Sequence, residues 1–180
     1  MAHRFLFLCS RKLNFARIYR SILIFFCGIF LGAAANLFDL YTTNLGNVFS
    51  QTSIWIFLCT AISVYSSSPK RAAVNVFFFC TAMLFSYYGS AVISHRSFSL
   101  SIVCGWLLFA AFTPLLGSCV WHAGKSGPLS KLMTFTLLFI EPAISIILFD
   151  KVRFSDLLIG VFTVLLLIKK QASAVQKSVG

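Results

Sequence analysis

Six apolar runs, separated by short polar breaks, occupy the chain from residue 21 to residue 168, and they restrict its fold more than any motif does. They cover residues 21–40, 48–65, 72–93, 100–121, 129–149 and 154–168. A helix needs about 20 apolar residues to cross a hydrocarbon core ~30 Å thick, at about 1.5 Å per residue. The runs at 72–93, 100–121 and 129–149 meet that length without strain. The run at 154–168 lies at the lower limit, so Lys169 and Lys170 would have to reach back to the headgroups. Inside a bilayer every backbone N–H and C=O must be satisfied by the protein itself, which for separate spans of this length means helices. The expected fold class is therefore all-α: a polytopic integral membrane protein of six transmembrane helices with both termini cytoplasmic.

Composition removes the soluble alternative. The chain is 59% hydrophobic and 11% charged, against roughly 45–50% and about 25% for a soluble domain. Each connection is roughly a dozen residues or shorter, an ordinary loop length that leaves no room for a soluble domain between spans. The expected organisation is a basic cytoplasmic segment at 1–20, a transmembrane domain at 21–168 and a short basic tail at 169–180. The short run "FLFLC" at 5–9 is followed by Arg11, Lys12, Arg17 and Arg20 rather than by a small-residue cleavage site, so a lead-in is expected and not a signal peptide.

Charge sets the orientation. The 15 Lys+Arg outweigh four Asp+Glu, for a net charge of +11. In a soluble protein such a balance would point to nucleic acid. Here the bases stand between apolar runs, so the expected partner is the lipid bilayer, with no nucleic acid. With the N-terminus inside, Arg4, Arg11, Lys12, Arg17, Arg20, Lys70, Arg71, Lys125, Lys131, Lys169, Lys170 and Lys177 are cytoplasmic. Only Arg96, Lys151 and Arg153 face out. That bias obeys the positive-inside rule and suits the cytoplasmic membrane of a bacterial-type cell.

Chemistry-bearing residues are few. The six cysteines (Cys9, Cys27, Cys59, Cys80, Cys104 and Cys119) are scattered singly, which supports neither a disulfide framework nor a metal site. "GKS" at 124–126 lacks the first glycine of a phosphate-binding loop, whose place is taken by Val120. His95 and His122 fall at opposite membrane faces. With no catalytic constellation, the expectation is no enzyme, no cofactor and no metal.

One acid stands apart. In "LLFIEPAISIILF", residues 137–149, Glu141 lies ~18 Å from the inner side of a ~30 Å core. A charged acid at a helix centre costs roughly 2.5–3.5 kcal/mol on insertion scales, so such groups turn toward protein or a wet cavity. Pro142 removes the N–H that would bond the Leu138 carbonyl. Either Glu141 is a neutral plug for freed backbone groups, or the helix breaks at Pro142 and Glu141 forms a binding or proton-exchange site. Pro114, after Thr113, is a second candidate kink, closer to the inner face.

In the first run Gly28, Gly32 and Asn36 recur every four residues and share a helix face, with Asp39 near the outer boundary. The glycines read as a helix-packing stripe. Asn36, ~22 Å above the inner face, matches Glu141 in depth and is its expected neighbour. The binding candidates are thus Glu141, Asn36 and Asp39.

Two likenesses point the same way. The length and the six-span, both-ends-in layout, with the Gly28, Gly32 and Asn36 stripe, resemble the substrate-binding subunits of vitamin transporters of the energy-coupling-factor type. "FIEPAISIILFD" followed by "LLIGVFTVLLLI" resembles the closing Glu-Pro helix pair of drug/metabolite-type exporters, over residues 139–168. Both imply a small solute. The expected function is binding or transport of a small solute with a mid-membrane acid. The alternative is a non-transporting subunit or homo-oligomer whose glycine stripe docks another membrane protein.

Overall fold

The computed structural model describes the backbone of residues 2–41, 52–149 and 152–179, and the side chains of residues 18–41, 53–147 and 152–176. Its elements are α1 Ala2–Tyr41, α2 Thr52–Tyr65, α3 Pro69–Ile93, α4 Leu100–Ala123, α5 Pro128–Phe149 and α6 Phe154–Val179. Five of these are long and apolar enough to cross a membrane, over Ile18–Tyr41, Pro69–Ile93, Leu100–Ala123, Pro128–Ile147 and Phe154–Gln176. The chain is a helical integral membrane protein.

Two helices extend beyond the apolar runs. α1 runs without interruption from Ala2 to Tyr41, so the basic residues at its start and the first apolar run belong to one helix. α6 continues past residue 168 to Val179, through Lys169, Lys170 and the mostly polar residues that follow. Helix growth past an apolar run adds one hydrogen bond for each residue ordered. Gln171 anchors the extension, donating through Nε2 to the Ala123 carbonyl and to Thr134 Oγ1, both at 2.9 Å.

The short helix is α2. Its 14 residues rise only ~21 Å, and residues 48–51 of the second apolar run lie outside the described residues. α2 packs against α3, α4, α5 and α6, whereas α1 packs chiefly along α3. Polar side chains at the end of α2 and just past it bond to its own backbone: Ser63 Oγ donates to the Cys59 carbonyl and Ser66 Oγ to the Ile62 carbonyl, each at 2.7 Å.

Contacts between helices define their directions. α1 and α3 are parallel, because Ser21 bonds Asn75, Gly28 meets Phe79, Gly32 meets Met83, and Asp39 accepts from Tyr87. α2 lies antiparallel to α3, with Cys59 against Cys80 and Ser66 against Asn75. α4 is also antiparallel to α3, with Gly117 against Val76 and Phe98, just before α4, against Tyr88. α5 and α6 are antiparallel through the pairs Thr134–Gln171 and Glu141–Gly160. The apolar core between α2, α3 and α4 is built on Val76, Phe79, Cys80, Leu84 and Ala110, with Trp55 and Trp106 packed on it.

This arrangement sorts charge by end. At one end Arg20 Nη1 donates to the Tyr65 carbonyl at 3.4 Å, Lys170 Nζ lies 4.5 Å from the Tyr65 ring centre, and Lys125 Nζ lies 4.1 Å from that of Trp121. Such cation–π contacts contribute about 0.5–1 kcal/mol at exposed sites. The opposite end carries Asp39, Arg96, Arg153 and Asp156.

Candidate functional site

Glu141 is 2% exposed, in the α5–α6 interface. It lies against Gly160 of α6, where a Cβ would sit 3.5 Å from Glu141 Oε2, an ordinary contact distance. Glu141 Oε1 is buried and has no hydrogen-bond partner. One helical turn before Gly160, on the same face of α6, stands Asp156, near enough for its charge to be felt at Glu141. Two acids thus share one interface.

Asp156 is 4% exposed and well held. Its Oδ1 accepts from Ser53 Oγ at 2.6 Å and its Oδ2 from the Arg153 backbone N–H at 2.9 Å. The second bond is the returning half of a capping box, in which the third helical residue satisfies the N–H at the cap position. Ser53 ties the start of α2 to the start of α6. Ser145, one turn beyond Glu141, and Thr163, one turn beyond Ile159, are also buried, and Thr163 Oγ1 donates to the Ile159 carbonyl at 2.9 Å.

Sequence reasoning found Glu141 but not Asp156, Ser53 or Gly160 as its surroundings. Asp156 stands in the first turn of the last apolar run, where an acid suits a helix N-terminus, and Gly160 follows it by one turn. No sequence signal marked Ser53. Among the described residues no group of three or more His, Cys, Asp and Glu could hold a metal ion.

Neither proline breaks its helix. α5 continues through Pro142 and α4 through Pro114, so of the two readings of Glu141 the one with a helix broken at Pro142 lacks that break. A proline removes one hydrogen bond, and the rest of the ladder holds the helix where neighbours pack on both sides. At Pro114 the missing donor is replaced: Thr113 Oγ1 donates to the Ala110 carbonyl at 2.7 Å, the group the absent N–H would have served.

The glycine stripe faces this chain's own α3. A Cβ on Gly28 would lie 2.6 Å from the Phe79 carbonyl oxygen, and one on Gly32 would press on the Met83 carbonyl. The stripe is therefore occupied and presents no free surface for another protein. Asn36, one turn beyond Gly32, is fully buried, and neither of its amide atoms has a hydrogen-bond partner. Its place is along the α1–α3 interface, while Glu141 faces α6, so the expected pairing of the two is not formed. Equal depth sets only the position along the membrane normal; which neighbour a side chain meets depends on where its helix sits and which way it is turned.

Asp39 is half-buried and accepts a 2.6 Å hydrogen bond from the Tyr87 hydroxyl. It lines a cavity of about 180 Å³ with Trp55, Tyr87, Tyr88 and Trp106. A second cavity, of about 140 Å³, lies among α2, α3, α4 and α5; its wall is mostly apolar and includes Cys59 and Cys80, whose sulfurs are 3.5 Å apart. Glu141 lines neither cavity, although Leu137, Ile140 and Ile144 of the same helix line the second.

No family model matches the chain, and no curated protein or solved structure matches it either. Function must therefore be argued from the residues of the sites.

Proposed function

We propose that this chain crosses a bacterial-type cytoplasmic membrane six times with both termini inside, binds or moves a small solute, and exchanges a proton at Glu141. The observation that carries the reading is Glu141 itself: 2% exposed, with Oε1 unpartnered and the acid Asp156 as its charged neighbour. A carboxylate buried without a cation or donors is strongly penalised, so the group sits there with its proton. A structural plug would use its polar atoms on freed backbone groups, and Oε1 makes no such bond. The reversal of direction between successive helices and the gathering of Arg20, Lys125 and Lys170 at one end support the topology.

The test is infrared spectroscopy of the protein in lipid, combined with proton-coupled flux in reconstituted vesicles. A protonated-carboxyl band that exchanges in heavy water and is missing in Glu141→Gln, with coupled flux lost in the same variant, supports proton exchange. Flux that is unchanged in Glu141→Gln overturns it. Topology is checked separately by a reporter fused after Gly180, for which a cytoplasmic signal is expected.

A further inference from the structure

We propose that the cavity among α2, α3, α4 and α5 is a binding site for an uncharged aromatic molecule of one ring. Its volume is about 140 Å³, and an apolar cavity of about 150 Å³ stays dry and takes up benzene or xenon. Almost no polar atom faces it, and none of the described residues on its wall is charged. Two of the hydroxyls beside it are turned to their own helices: Ser63 Oγ donates to the Cys59 carbonyl and Thr113 Oγ1 to the Ala110 carbonyl, each at 2.7 Å. A buried water needs two to four polar partners, which this wall does not offer. An ion would lose its hydration with nothing to replace it.

The wall selects a ring. Trp55 of α2, with Trp106 and Phe109 of α4, present aromatic surface, and Cys59 of α2 with Cys80 and Met83 of α3 bring sulfur-bearing side chains to the same space. An aromatic guest gains from edge and offset contacts with other rings and from polarisable sulfur beyond what burial of the same area gives. The wall is also formed in advance. Trp106 packs edgewise on Phe109 with ring centroids 6.1 Å apart, and Trp55 lies 6.5 Å from the ring of Phe79, which is 1% exposed. Cys80 and Ala110 belong to the apolar core itself. An empty void destabilises a core in proportion to its volume, whereas a guest that fits restores the missing contacts. A neutral aromatic ring dissolves in the hydrocarbon around the protein and matches the space in size. Glu141 does not line this cavity, so occupancy does not depend on proton exchange there.

The test is equilibrium binding to the full chain in lipid nanodiscs, read by fluorine NMR against empty nanodiscs of the same lipid. The probes are fluorobenzene, fluorocyclohexane, which keeps a single ring without the π system, and 1-fluoronaphthalene, which adds a second ring. Fluorobenzene should bind saturably, fluorocyclohexane about threefold to tenfold more weakly, and 1-fluoronaphthalene at least about tenfold more weakly. Ala110→Leu reduces the space and should weaken fluorobenzene binding at least about tenfold. Gly105→Leu, on the same helix with nothing within 4 Å of its Cβ position, should bind as the parent does. The absence of saturable fluorobenzene binding overturns the proposal, and so does binding of fluorocyclohexane or 1-fluoronaphthalene as tight as that of fluorobenzene. Those outcomes are read on the unmodified protein, so poor folding of a variant cannot obscure them. Fluorobenzene binding unchanged in Ala110→Leu would place the ligand elsewhere and overturns it too.

Discussion

Gly160 on α6 lies against Glu141 on α5, and a Cβ there would lie 3.5 Å from the Glu141 carboxyl oxygen, an ordinary contact distance. Gly160→Ala should therefore leave stability and coupled flux close to the parent. Gly160→Leu has no such space and should displace the carboxyl, costing about 1–3 kcal/mol as an overpacked site. Thermal unfolding in detergent and vesicle flux, measured on both variants, check the pair. A Leu variant indistinguishable from the parent would place Glu141 elsewhere.

Close approach of α1 to α3 requires glycine at position 32, where a Cβ would press on the Met83 carbonyl. Gly32→Ala should destabilise by about 1–3 kcal/mol, because backbone cannot move aside as a side-chain tip can. Gly89 is the matched control, with nothing within 4 Å of its Cβ position. Gly89→Ala should be neutral or stabilising by up to about 1 kcal/mol through lower chain entropy. Melting temperatures should move in opposite directions.

Ser53 and Asp156 should prove coupled. Their 2.6 Å hydrogen bond joins α2 to α6, and Asp156 also caps α6 at Arg153. Asp156→Ala should cost about 1.5–3 kcal/mol, the range for buried hydrogen bonds to charged groups, and Ser53→Ala about 1 kcal/mol. In the double variant the losses should not add, and a double-mutant cycle measures the difference. Strict additivity would mean that the bond carries no energy.

Thr113 should matter through its hydroxyl. Thr113→Val keeps the shape but leaves the Ala110 carbonyl without its donor beside Pro114, and should cost about 1–3 kcal/mol. Thr113→Ser should restore most of it. If Val equals Ser in thermal unfolding, another group serves that carbonyl.

Much of the fold was legible in the chain. The apolar runs dictated helices, since only internal hydrogen bonding survives in hydrocarbon. At the start of α3, Pro69 follows Ser68, whose Oγ accepts from the Arg71 N–H at 3.3 Å. The glycine spacing in α1 marked a packing face, which meets α3. These are local properties, carried by residues a few positions apart.

The composition of the candidate sites was not legible in the same way. Glu141 could be singled out by its cost in the membrane, but its company of Gly160 and Asp156 depends on how α5 and α6 are rotated against each other. Asn36 was matched to Glu141 by depth and sits in a different interface. Asp39 read as an isolated boundary acid, and Tyr87, Tyr88, Trp55 and Trp106 became its surroundings only when four helices met. A sequence states how far each side chain lies along its own helix, because rise per residue is constant. Azimuth and neighbour order are collective outcomes of packing, and here they decide which acid meets a second acid and which meets aromatic rings.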